Sequence, residues 1–140
     1  MSERFFLDTN IFVYSFDRNA PQKAGRATRL VRPAIETREG IVSYQVVQEF
    51  FSVALSRFAQ PMSVGEAEQY LATTFRPLLA VHSSDALYGQ ALHLAAEHSL
   101  SWYDALILAS AFEGRCAVLY SEDFQHERRF SRLRVENPFL

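Results

Sequence analysis

Arg4-Phe5-Phe6-Leu7-Asp8-Thr9-Asn10 is the stretch that decides how this chain folds. A short apolar run halted by Asp-Thr-Asn turn chemistry reads as a buried strand. An acid at the end of such a strand lies at the edge of an α/β sheet, where ligands bind. Outward from it, Ile11 to Phe16 read as a short helix stopped by Asp17-Arg18-Asn19, and Pro21 suits the first turn of a second helix reaching about Thr37. Gly40 ends that segment, and Ile41-Val42-Ser43 is a second strand. Tyr44 to Phe58 form an amphipathic helix, with Val46, Val47, Phe50, Val53, Ala54 and Phe58 on one arc and Gln45, Gln48, Ser52 and Ser56 opposite.

Ser63-Val64-Gly65-Glu66 matches a capping box and opens a helix to about Phe75. Leu78 to Val81 follow as a strand, and Ser84 caps a helix carrying Leu87, Ala91, Leu94 and Ala95. Residues 102–113 are apolar almost all round, which predicts a central helix. Residues 117–120 and 133–135 supply two more strands. The alternation predicts an α/β fold: a small, mostly parallel central sheet with helices on both faces.

With 140 residues, 49% of them hydrophobic and 14% aromatic, the chain suits one domain, 1–140, around one core. The start turns polar too soon for a signal peptide, and no stretch is long and apolar enough to span a bilayer. The single cysteine, Cys116, precludes an internal disulfide and fits a reducing cytoplasm. A net charge of −2 argues against a strongly basic nucleic-acid coat. Yet Lys23 is the only lysine, and arginine, the better phosphate ligand, clusters at Arg26, Arg29 and Arg32 and again at Arg128, Arg129, Arg132 and Arg134. The second cluster lies next to Asp123, which makes Arg128 and Arg129 candidate substrate contacts.

Four acids stand where the elements place chemistry: Asp8 at a strand end, Glu49 in a helix, Asp104 at a helix start and Asp123 past the last strong strand. Each also has an ordinary reading. Asp8 suits a helix cap, Glu49 borders its apolar arc and suits a solvated face, and Ser101 to Asp104 have capping-box spacing. Asp123 suits a plain turn, and Glu122 competes with it. Taken together, converging carboxylates repel unless a cation lies among them, which points to a magnesium or manganese site and phosphate chemistry.

The set resembles the PIN-domain ribonucleases, most closely the VapC-type toxin of toxin–antitoxin pairs. Phe5-Phe6-Leu7-Asp8-Thr9-Asn10, Glu49, Ser101-Trp102-Tyr103-Asp104-Ala105-Leu106-Ile107 and Val118-Leu119-Tyr120-Ser121-Glu122-Asp123-Phe124 carry the likeness, which spans nearly the whole chain. The resemblance implies a PIN-like fold and an acidic quartet, Asp8, Glu49, Asp104 and Asp123, that binds Mg²⁺ or Mn²⁺. Thr9, Asn10 and Ser121 match supporting positions, and Glu122 is either a further support or the fourth acid itself. It implies RNA hydrolysis by metal-activated water, a cognate antitoxin and a homodimer, in the cytoplasm and away from membranes. The chain departs from relatives at Glu127, where a glycine is common, and at Gln125, where some carry another acid. The alternatives on the same fold are an RNA-processing nuclease outside toxin–antitoxin systems and a catalytically silent RNA-binding module. A receiver-type phosphoacceptor is disfavoured by the lack of a late lysine, and zinc catalysis by the spacing of His82, His93, His98 and His126.

Overall fold

The computed structural model describes residues 3–140. Its strands are β1 (Phe5–Leu7), β2 (Gly40–Ser43), β3 (Leu79–Val81), β4 (Val118–Tyr120), β5 (Arg129–Phe130) and β6 (Leu133–Glu136). They form one sheet in the order β3-β2-β1-β4-β6-β5. Every neighbouring pair is parallel except β5 with β6. β1 lies inside the sheet, in register Phe5 to Gly40 on one side and Phe5 to Val118 on the other. Phe6 and Leu7 are accordingly fully buried, as a strand covered on both faces requires.

The helices are α1 (Thr9–Tyr14), α2 (Pro21–Thr37), α3 (Tyr44–Ala54), α4 (Val64–Tyr70), α5 (Arg76–Leu78), α6 (Asp85–His98) and α7 (Trp102–Glu113). α1 packs on α2 and α3, and α2 on α5, whereas α6 packs mainly on α7. Right-handed crossovers explain the division: the connections β1–β2 and β2–β3 run outward and the connection β3–β4 runs back, which puts the two groups on opposite faces. α7 is buried from Ala105 to Ala111, in keeping with its nearly continuous apolar sequence. No helix among the described residues is long and apolar enough to cross a membrane.

Several boundaries differ from the sequence reading for local reasons. α1 begins at Thr9 because Asp8 already occupies its cap. α3 stops at Ala54, not Phe58, where the N–H groups of Ser56, Arg57 and Phe58 converge on the Val53 carbonyl. The Ser63–Glu66 capping box is present, but its helix widens into a π-helical turn at Leu71–Phe75 before α5. α2 is closed by Arg38 in the left-handed conformation (φ 60°), not by Gly40. β5 is a two-residue hairpin partner whose turn, at Ser131 (φ 57°), carries no glycine or asparagine to announce it.

The aromatics of α3 and α4 largely cover one another. Phe50 stacks on Tyr70 at 5.0 Å and meets Phe75 edge-on at 5.2 Å, and both phenylalanines are fully buried. Phe16, Phe51 and Phe58 close the same cluster. These rings therefore build an ordinary core and do not leave a broad apolar face needing a partner.

Gly40 is set by packing. A Cβ there would lie 2.8 Å from Phe5 Cε2 and 2.9 Å from Ala34 Cα. Gly89, within α6, has open space around it. Gly40→Ala should therefore cost about 1–3 kcal/mol through overpacking, while Gly89→Ala should gain roughly 0.5–1 kcal/mol through helix propensity. Urea denaturation of the two variants beside the parent checks both signs.

Candidate functional site

The strand order reverses between β1 and β4, and a crevice opens at their C-terminal ends, the usual ligand position in an open α/β sheet. Asp8 follows β1 directly and Ser121 follows β4. A cleft of about 180 Å³ there is lined by Asp8, Glu49, Asp104 and Asp123, together with Thr9, Asn10, Gln45, Val53, Tyr103 and Ile107. The fold thus brings all four acids singled out from the sequence to one cavity.

Asp8 is buried, 4% exposed, yet both its oxygens are engaged. Oδ1 accepts from Thr9 N at 2.7 Å, and Oδ2 accepts from Ser121 Oγ at 2.7 Å. Burial pushes its carboxyl up to about 7 despite those bonds, and the charges of Asp123 and Glu49 add to the rise. Glu49 is half-buried; its Oε1 accepts from Thr9 Oγ1 at 3.0 Å and from Gln45 Nε2 at 3.2 Å. Asp104 lies in the first turn of α7, where its N–H reaches Ser101 Oγ. The reciprocal bond that would complete a capping box, as Ser63 and Glu66 do, is not made, which leaves the Asp104 carboxylate to the cleft. Asp123 sits at the rim, its N–H bound to Ser121 Oγ at 3.0 Å. Partial desolvation raises its pKa, and Asp104, Glu122 and Glu49 raise it further.

Ser121 therefore bridges the end of β1 and the loop that carries Asp123. Thr9 has a similar part, since its backbone holds Asp8 and its hydroxyl holds Glu49. Glu122 turns away from the cleft: it accepts from Asn10 Nδ2 at 3.1 Å and from Tyr14 OH at 2.9 Å. Neither arginine proposed for substrate lines the cleft. Arg128 lies over the Phe130 ring at 4.3 Å, and Arg129 lines a separate groove with His126, Glu127, Arg134 and Glu136.

Gln45 was expected on the polar face of its helix but is 3% exposed. Its Nε2 donates to Glu49 Oε1 and to the Tyr103 carbonyl, 3.2 Å each, and its Oε1 has no partner. The i,i+4 spacing of Gln45 and Glu49 was the available signal that they share a face. The four carboxylates that line the cleft are an all-oxygen donor set, the kind hard divalent cations take. Among the described residues, however, no three His, Cys, Asp or Glu side chains are close enough to enclose an ion by themselves. The donors fit a cation that keeps part of its water shell, as Mg²⁺ does.

The wider comparisons bear on the family and the fold. Residues 5–133 match the family model described as PIN domain. The chain belongs to the PIN-domain family. Among solved structures, the PIN domain resembles a toxin–antitoxin complex from Klebsiella pneumoniae, with a TM-score of 0.66, 20% identity, and 95% and 96% of the two chains covered. It also resembles VapC20 of Mycobacterium tuberculosis, a sarcin–ricin loop cleaving toxin, with a TM-score of 0.60, 21% identity, and coverage of 86% and 89%. FitAB bound to an IR36 DNA fragment gives a TM-score of 0.67 at 21% identity, with 97% and 96% covered. At these identities the likeness speaks for the fold. No curated protein matches the chain by sequence.

Asp8 generates a pH prediction. Its folded pKa, about 7, exceeds the ordinary 3.8, so protonated Asp8 stabilises the metal-free fold. That stabilisation is complete below about pH 4 and is lost as the pH rises to about 7, up to roughly 4 kcal/mol in all. Asp8→Asn should remove this loss and be at least as stable as the parent near pH 8. Urea titrations in EDTA across that range measure it; a variant much weaker than the parent at every pH would make Asp8 a structural cap alone.

Proposed function

We propose that this PIN domain is a divalent-cation-dependent endoribonuclease and the toxin of a toxin–antitoxin pair, with Mg²⁺ or Mn²⁺ as its cation. The observation that carries the reading is the one cleft, at the switch point of the sheet, shared by Asp8, Glu49, Asp104 and Asp123. The named neighbours support it: one is described as an RNA-cleaving toxin and another as a toxin–antitoxin complex. A free, buried cysteine is in keeping with a cytoplasmic location.

In this reading Asp8, Glu49, Asp104 and Asp123 hold the cation. When bound, the cation supplies positive charge against the phosphate oxygens and acidifies a water. The chain's own part is positioning. Ser121 and Thr9 N–H hold Asp8 as an acceptor at both oxygens, and Thr9 and Gln45 fix Glu49 from two sides. Asp8 gives up its proton near neutral pH, so cation binding competes with that proton and weakens as the pH falls. Asn10 and Tyr14 hold Glu122 outside the cleft, which supports Asp123 as the fourth acid.

The wide spacing of the acids favours one other reading, a PIN module that binds RNA without cutting it. One assay separates the two: purified protein and RNA, with Mg²⁺, with Mn²⁺ or with EDTA, and the ends of the products mapped. The nuclease reading expects cation-dependent cuts leaving 5′-phosphate and 3′-hydroxyl ends. RNA binding with no cleavage under any cation overturns it. Sedimentation and co-purification with the neighbouring gene product test the homodimer and the antitoxin.

Two substitutions distinguish the adjacent acids. Asp123→Asn should lower cleavage by more than about 100-fold, beyond the usual effect of an outer supporting residue. Glu122→Gln keeps Oε1 as an acceptor for Asn10 and Tyr14 and should stay within about 10-fold of the parent. Initial rates at saturating Mg²⁺ settle the order; the reverse result would move the fourth ligand to Glu122.

Mg²⁺ should also raise the parent's melting temperature by linkage, and raise that of Asp8→Asn less. Thermal melts of both proteins with and without the ion measure the difference.

A further inference from the structure

None of the ten residues lining the acid cleft is a lysine or an arginine. Nucleic-acid binders ordinarily gain affinity by pairing basic side chains with phosphates. Here the cleft wall offers a polyanion no such grip, so the chain's own hold on it has to come from another interaction.

The lip of the cleft is aromatic. Tyr103 lines the cleft next to Asp104 and is 64% exposed. Trp102, 37% exposed, lies 6.2 Å from Tyr88, 39% exposed, with the rings tilted by 42°. Burial pushes the Tyr44 hydroxyl up to about 12, and Tyr88 and Tyr103 add to the rise. Isolated exposed aromatics need no explanation, but Tyr103 stands in the wall of the acid cleft.

The platform is also tied to the acids. Gln45 Nε2 donates to the Tyr103 carbonyl and to Glu49 Oε1, at 3.2 Å each. One buried amide thus holds the backbone under the ring in fixed relation to a cleft carboxylate. A flat group resting on Tyr103 would have its attached phosphate placed relative to Glu49.

We propose that Tyr103 stacks an unpaired base of the RNA next to the phosphate held at the acid cleft. The proposal rests on the ribonuclease reading and assigns to that site a residue that holds the base, since an unpaired base can splay onto a ring. Paired bases in an A-form duplex are not free to do so. Every base has a π-face, so the platform selects unpaired structure before it selects sequence. Binding through stacking, without basic side chains at the cleft, also predicts a shallow dependence on salt.

The test is steady-state cleavage, with Mg²⁺, of a single-stranded oligoribonucleotide and of the same strand annealed to its complement. The parent should cut the single strand and spare the duplex. Tyr103→Ala should raise KM by about 5- to 100-fold with kcat nearly unchanged, the range that losing one stacked base produces. Tyr103→Phe, which keeps the ring, should restore KM, and an unaltered Mg²⁺-induced melting shift in Tyr103→Ala would show the acid cleft intact. Quenching of a 2-aminopurine-labelled single strand, read without cleavage, follows the same order.

Failures of the two readings are separable. A parent that binds the labelled strand but never cuts sinks the nuclease reading alone. A parent that cuts, with Tyr103→Ala keeping the parent's KM and quenching, sinks the stacking platform alone. If Tyr103→Ala keeps RNA kinetics but no longer co-purifies with the neighbouring gene product, the aromatic lip is a protein interface and the proposal is wrong.

Discussion

A hydrogen bond of 2.7 Å, from Ser121 Oγ to Asp8 Oδ2, joins the ends of the two strands that flank the reversal of the sheet. Much of the cleft depends on it. The same Ser121 oxygen receives the N–H of Asp123, and the same Asp8 carboxylate receives the N–H of Thr9, whose hydroxyl in turn holds Glu49. Three of the four acids are thus connected through two hydroxyl groups. Hydroxyls suit this position because they donate to one carboxylate and still accept from another group, without adding charge to a crowded site.

The arrangement opposes the stability of the fold that makes it. Asp8 is desolvated and faces other acids, so its ionised form is disfavoured even with both oxygens hydrogen-bonded. Core packing on either side of β1 offsets that cost: Phe6, Leu7, Ile11 and Phe12 are fully buried around it. Displacing a carboxylate pKa this far requires rigid surroundings, because a pliable site would relax and admit water.

The sequence carried the elements better than the contacts between them. The start of α2 and the extent of α7 were legible, since the proline start of one and the unbroken apolar run of the other are local signals. The acids could be singled out because strand ends and helix starts are local too, whereas their meeting at one cleft depends on strand order, which periodicity does not encode. Glu122 and Asp123 were indistinguishable for the same reason: only the positions of Asn10 and Tyr14, more than a hundred residues earlier in the chain, draw Glu122 aside. Gln45 was misplaced because a helical wheel sees polarity, and a buried amide holding a carboxylate and a carbonyl looks like a solvated one. β5 left no trace, being two residues long with an unannounced turn.

The central pairing also has a consequence for synthesis. β1 pairs with β4, so residues 5–7 wait for residues 118–120 before the middle of the sheet exists. Contacts this distant in the chain form late and slowly, after the intervening helices have had time to organise. On the ribosome the N-terminal strand has emerged long before its partner, and Asp8 has no Ser121 to hold it. The cleft therefore comes into being only after residues 118–123 have been made. A chain cut short before residue 118 would lack β4, Ser121 and Asp123, and with them one wall of the cleft.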